Sequence, residues 1–250
     1  LTRHARPPLV AAVTSRGSFA PPQILHPAAP ALRARPALPA RPPLARSLLT
    51  PAGMPQYVAW FAELDKSSGA SVGGKGANLA EMTNLGVPVP PGFTIAASAC
   101  VRYLDEQHIA DDLRDEVAAS LAELERVSGK QFGNPVNPLL VSVRSGAAVS
   151  MPGMMETILN LGLNDETVEG LAAASENPRF AFDSYRRFLQ MYADVVMEVP
   201  QARFEQLLGA KRMGHGVTTD SELSADALRA LVLEYKQLIR LTAGREFPMD

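Results

Sequence analysis

The stretch Val141–Asp165 reads VSVRSGAAVSMPGMMETILNLGLND, and the rest of the chain can be placed around it. Leu139 to Val143 is a short apolar run bounded upstream by Asn137-Pro138, the pattern of a buried strand. That strand delivers Arg144 into small residues, Ser145-Gly146-Ala147-Ala148, which cannot bury a guanidinium. A Met-Pro-Gly-Met-Met turn follows, then an apolar segment ending at Gly162. Arginine is always charged and offers planar, paired donors that match phosphate oxygens. A structural pairing of Arg144 with a nearby carboxylate fits the composition equally well.

Upstream, Tyr57 to Phe61 predicts a short aromatic strand, and Glu63 to Ser71 a polar loop leading into Val72-Gly73-Gly74-Lys75-Gly76-Ala77-Asn78. The following LAEMTNLG has helical spacing at Leu79, Met82 and Leu85 and a stop at Gly86. Val87 to Gly92 is a rigid extended turn feeding a second strand, Phe93 to Ile95. Ser98 is a candidate cap for a helix to about Gln107. Asp111 to Ser128 predicts an amphipathic helix with Leu113, Val117, Leu121, Leu124 and Val127 on its apolar face, ended by Gly129. Beyond Asn164 the pattern is helical throughout. One helix runs to Ser175, a longer one from Pro178 to about Met197, and a short one to Arg212. The last starts at Ser224 and turns Leu228, Leu231, Tyr235, Leu238 and Leu241 to a core.

Charge is divided unevenly along the chain. Residues 1–55 hold seven Arg, no Lys, no acidic residue and 12 of the 21 prolines, which leaves 17 basic against 26 acidic residues in the body. Proline at this density removes backbone donors and blocks helix, so the tail is expected to be disordered and dispensable for folding. An Arg-rich, acid-poor N-terminus has the composition of an organelle transit peptide, with a chloroplast or another organelle as destination. Translated upstream sequence ahead of Met54 is the competing account, and it would leave the protein cytoplasmic. An acidic body argues against nucleic acid as a partner. The single Cys100 excludes an internal disulfide. No apolar run is long enough to span a bilayer, so no membrane partner is expected.

The glycines at 73, 74 and 76 can turn backbone N–H groups around an anion, and Lys75 adds a point charge. Gly69, four residues, then Gly74-Lys75 begins a Walker A loop, but the next residue is Gly76 where Ser or Thr must ligate magnesium. Walker A fails. A surface turn carrying a solvated lysine is the plainer account of the same residues.

GGKGANLAEM, GVPVPPGFTI, NPLLVSVRSGA, MPGMMETILNLGLND and DSYRRFLQMYADVVM, in this order and spacing, closely resemble the pyruvate, phosphate dikinase family. The resemblance covers about residues 57–250. It implies an α/β (α+β) fold: an ATP-grasp-like nucleotide-binding lobe over 56–163, then a helical subdomain of the same domain over 164–250. It also implies that Lys75 and Arg144 contact ATP phosphates, with Gly73, Gly74, Gly76 and Ser145 beside them and Met154 and Met155 near the nucleotide. Core filling is the alternative role for those methionines. The loop before Gly73 departs from the family in being shorter and more polar.

The family reaction converts ATP, phosphate and pyruvate to AMP, pyrophosphate and phosphoenolpyruvate through a phosphohistidine. The resemblance places the histidine domain, the pyruvate-binding barrel and the ligands for Mg2+ outside these residues. His4, His26, His108 and His215 match no catalytic context. This stretch is therefore expected to hold no catalytic residue and no metal ligand, to bind ATP, and to be inactive alone. The full-length protein is expected to be a homo-oligomer. A phosphoenolpyruvate synthase-like enzyme and a non-catalytic nucleotide-binding module are the alternatives.

Overall fold

Alternation along the strands decides which helix covers which face of the sheet. The computed structural model describes residues 10–15, 56–146 and 157–249. Five strands, β1 (Val10–Ser15), β2 (Val58–Trp60), β3 (Gly92–Ile95), β4 (Val141–Gly146) and β5 (Thr157–Leu161), lie in the order β2-β3-β1-β4-β5. Every neighbouring pair is antiparallel. One register row crosses all five: Ala59 opposes Thr94, Thr94 opposes Ala12, Ala12 opposes Arg144, and Arg144 opposes Thr157.

Because side chains alternate between faces, Val58, Phe93 and Val141 are buried together with Leu124 of α3 (Asp111–Ser128). Val117 and Leu121 extend that contact. The carboxylate of Glu116 accepts from the backbone N–H of Tyr57 and Val58 at 2.8 and 2.9 Å, which fixes α3 to the start of β2. Residues one step along face the other way. Ala59 packs with Leu64, Val72, Ala77 and Ala80, so α1 (Gly69–Asn84) covers the opposite face. Between these helices, α2 (Ala97–Glu106) is held by Arg102, which reaches Asp112 at 2.7 Å and the Tyr57 hydroxyl at 3.0 Å.

The C-terminal half is built on its own apolar cluster. α4 (Thr167–Ser175), α5 (Pro178–Val196), α6 (Gln201–His215) and α7 (Ala225–Ala243) enclose Tyr185, Leu189, Phe204, Leu228, Leu231, Tyr235 and Ile239. Asn177 caps α5 and Ser224 caps α7 by accepting N–H bonds at 3.0 and 3.2 Å. The guanidinium of Arg186 is almost wholly buried and bridges Asp183 to Asp220, tying α5 to the turn before α7.

Several expectations change here. Composition predicts disorder over all of 1–55, yet Val10–Ser15 forms the central strand; the rest of that stretch lies outside the described residues. Leu9 to Ser15 is its longest run free of both Pro and Arg, and Val10, Val13 and Thr14 favour extended backbone. The expected loop at 63–71 is instead two short 3₁₀ turns and the first residues of α1. α2 starts at Ala97 after an uncapped Ala96, not at Ser98. Leu241 is 71% exposed and Val127 48%, so neither joins a core. Ile239, which the spacing passed over, is buried.

Gly170 marks where α4 meets the loop before β4. A Cβ there would fall 1.7 Å from the Pro135 carbonyl oxygen, whereas one at Gly209 in α6 would meet nothing within 4 Å. Gly170→Ala should therefore lower unfolding stability by about 1–3 kcal/mol. Gly209→Ala should raise it by roughly 0.5–1 kcal/mol. Urea midpoints of the two variants check both signs.

Candidate functional site

Three glycines in α1 do three different things. Gly73 has φ 72° and ψ 162°, a non-helical residue that splits α1 into a short leading turn and the run from Gly74. The expected Gly-rich loop before a helix is thus a break inside one. Gly76 is buried, and a Cβ on it would lie 3.1 Å from the Thr94 side chain on β3. It is glycine because the helix backbone rests on the sheet there. Gly74 is exposed, has no positive φ, and would meet nothing within 4 Å. No packing or backbone requirement accounts for it, although a glycine in a helix costs up to about 1 kcal/mol relative to alanine.

Lys75 follows, partly buried. Its amine is pushed below the usual lysine value, first by burial and then by the positive charge of Arg144. The fold therefore brings together the two cations that sequence reasoning singled out, one from just after the break in α1 and one from within β4, which starts at Val141 and not at Leu139 and runs on past Arg144 to Gly146. Arg144 is exposed and lies on the register row of Thr94, where α1 docks. Among the described residues neither Lys75 nor Arg144 is ion-paired to a carboxylate. The structural pairing considered for Arg144 is absent from that set. Ser145 follows on β4, half-buried. Met154 and Met155 lie outside the described residues.

Two cations close enough to shift a pKa cost free energy until something negative lies between them. The first turn of a helix leaves backbone N–H groups without intrahelical partners, and these favour an anion. Backbone amides, a lysine and an arginine are the donor types that suit phosphate oxygens. Thr94 is a neighbour that sequence reasoning missed. Its hydroxyl is fully buried without a hydrogen-bond partner, directly beneath Gly76. No local sequence signal marks it, because the contact joins residues far apart in the chain. Among the described residues no group of three His, Cys, Asp or Glu side chains is arranged to hold a metal ion. No helix among them is long and apolar enough to cross a membrane.

The family model for the pyruvate phosphate dikinase AMP/ATP-binding domain matches residues 69–128, the span from α1 through α3. The pyruvate, phosphate dikinase of Clostridium symbiosum is 50% identical over 199 residues, 79% of this chain and 23% of that protein. That of Giardia intestinalis is 53% identical over 177 residues, covering 71% and 20%. The chloroplastic pyruvate, phosphate dikinase 1 of Arabidopsis thaliana is 50% identical over 189 residues, covering 75% and 20%. The chain thus spans about a fifth of the length of these relatives.

Arg144→Ala should raise the Lys75 pKa towards the ordinary 10.5, because the like charge that favours the neutral amine is gone. A pH titration of the Lys75 side chain by NMR reads the shift. An unchanged value would show that burial alone perturbs it.

Proposed function

We infer that this chain, which carries the N-terminal AMP/ATP-binding domain of the pyruvate, phosphate dikinase family, holds ATP by its phosphates between Lys75 and Arg144. The observation that supports this most directly is the mutual approach of two cations, neither ion-paired among the described residues, at a break in a helix. Gly73 supplies the break and Gly74 the open backbone. Ser145, Met154 and Met155 are proposed to line the nucleotide site, the lobe is proposed to be ATP-grasp-like, and Gly76 acts by seating the helix on Thr94.

The reaction belongs to the longer protein of which this domain is a part. We propose that it interconverts ATP, phosphate and pyruvate with AMP, pyrophosphate and phosphoenolpyruvate. A histidine outside this chain would accept the phosphoryl group, and a separate domain would bind pyruvate. Gripping and orienting a triphosphate is the share of phosphoryl transfer that these residues can supply, since such catalysis is largely positioning and charge stabilisation. Mg2+ is proposed to enter on the triphosphate and to neutralise part of its charge there. Organelle targeting by the Arg-rich N-terminus and a homo-oligomeric full-length enzyme are proposals on the same footing.

ATP titrated calorimetrically into the chain should bind near neutral pH, and Lys75→Ala or Arg144→Ala should each weaken binding by about 1.5–3 kcal/mol, the range for a hydrogen bond to a charged group. Affinity should also fall at alkaline pH as Lys75 loses its proton, at a pH below the ordinary lysine value. Equal affinity in both variants and the parent would remove the basis for the site. In the full-length enzyme, the same changes should cut the ATP half-reaction by about 2–4 kcal/mol in activation free energy. Exchange between pyruvate and phosphoenolpyruvate should survive. Equal loss of both half-reactions would instead point to misfolding.

A further inference from the structure

We propose that Val10–Ser15 is a spacer strand whose insertion between β3 and β4 sets the width of the anion cleft, an inference that rests on the site between Lys75 and Arg144. β3 and β4 do not pair with each other. β1 lies between them, opposing Gly92 to Thr94 on one side and Val141 to Gly146 on the other. The helix of Lys75 lies across β1, β3 and β4, and its Gly76 rests on Thr94 of β3. Arg144 belongs to β4. Thr94, Ala12 and Arg144 occupy a single register row, so exactly one strand separates the seat of the lysine helix from the arginine.

Neighbouring strands lie about 4.7–4.9 Å apart, and an inserted strand roughly doubles that interval. With β1 in place the charge of Arg144 is felt at the Lys75 amine. Without β1, two runs of backbone N–H and C=O groups on β3 and β4 would lose their partners. Such groups do not stay unpaired in a sheet interior. Either β4 would close directly onto β3, moving Arg144 one strand nearer to α1, or the strand pair would splay. Both change the cleft.

β1 is also separable by connection. Forty residues, 16–55, run between its end and the next described residue, Gln56. The strand's seat in the sheet rests on the ladder it forms with β3 and β4. The helical cluster around Tyr185 and Tyr235 is assembled from α4 to α7 and the residues flanking β4 and β5. That cluster supplies an internal reference for any loss of order in the sheet.

The test uses the whole chain. Val13 opposes both Phe93 and Val143, so Val13→Pro removes an N–H from the middle of the ladder. Hydrogen exchange should then speed up by at least tenfold at residues 92–95 and 141–146, with α5 and α7 still protected. ATP affinity should fall at least tenfold. The second variant pairs Thr14→Cys with Ser142→Cys, which oppose each other in the register. Mild oxidation should cross-link them, lock the strand in place and leave ATP affinity unchanged.

Unchanged exchange at 92–95 and 141–146 in Val13→Pro, or failure of the cross-link, would overturn the strand's placement. Faster exchange with unaltered ATP affinity would overturn its role as a spacer. A parent chain with protected strands that binds no ATP would overturn the phosphate-site reading and the spacer role with it. Exchange and cross-linking would still decide the strand's placement.

Discussion

The antiparallel row Ala59–Thr94–Ala12–Arg144–Thr157 is the constraint on which the N-terminal half depends. Its backbone ladders fix how far each strand lies from the next, and period-two alternation then assigns α3 to one face and α1 to the other. At Thr94 the sheet comes close beneath α1, and a Cβ at position 76 would lie 3.1 Å from its side chain. Arg144 therefore reaches its place beside Lys75 through a sheet, not through any direct bond between the two.

Such an arrangement favours an anion because its parts are left electrostatically unfinished. A buried salt bridge would satisfy both charges and remove the reason to bind anything. Here Lys75 is partly desolvated and faces a like charge. A triphosphate held there, as proposed, would relieve both penalties at once. The helical half contrasts with this. There Arg186 is matched by Asp183 and Asp220, and its charge is spent on holding α5 against the turn before α7.

Much of this was legible in the sequence, for reasons that differ between elements. α3 and α7 declare themselves through apolar spacing, α5 through the proline near its start, and α7 also through its cap at Ser224. β4 was visible as an apolar run, but its continuation through Arg144 to Gly146 was not, because small residues read as a loop. The helical start at Gly69 was hidden, because Ala70, Ser71 and Val72 read as a loop beside so many glycines. β1 was hidden more deeply. Its six residues lie in a proline-rich, arginine-rich stretch, and its partners are strands far along the chain. Composition averages over such a segment, whereas pairing depends on only a few extended residues. Thr94 was unreadable for a related reason: its importance comes from a glycine it touches across the fold.

At the far edge of the sheet, β5 carries one residue more than β4 between two matched positions. Val143 opposes Ile158 while Val141 opposes Leu161, and Asn160 takes up the excess with φ 62°. The extra residue puts Leu161 against both apolar clusters, and Asn160 is turned to donate to the Ser184 carbonyl. In the genetic record of such a domain, loss of one codon between Ile158 and Leu161 would keep Leu161 opposite Val141, because the two matched positions would then be equally spaced on both strands. Only the bulge would vanish, and with it the φ 62° turn that aims Asn160 at the Ser184 carbonyl. Loss of a codon from a regularly paired part of the strand would instead move every later side chain to the other face.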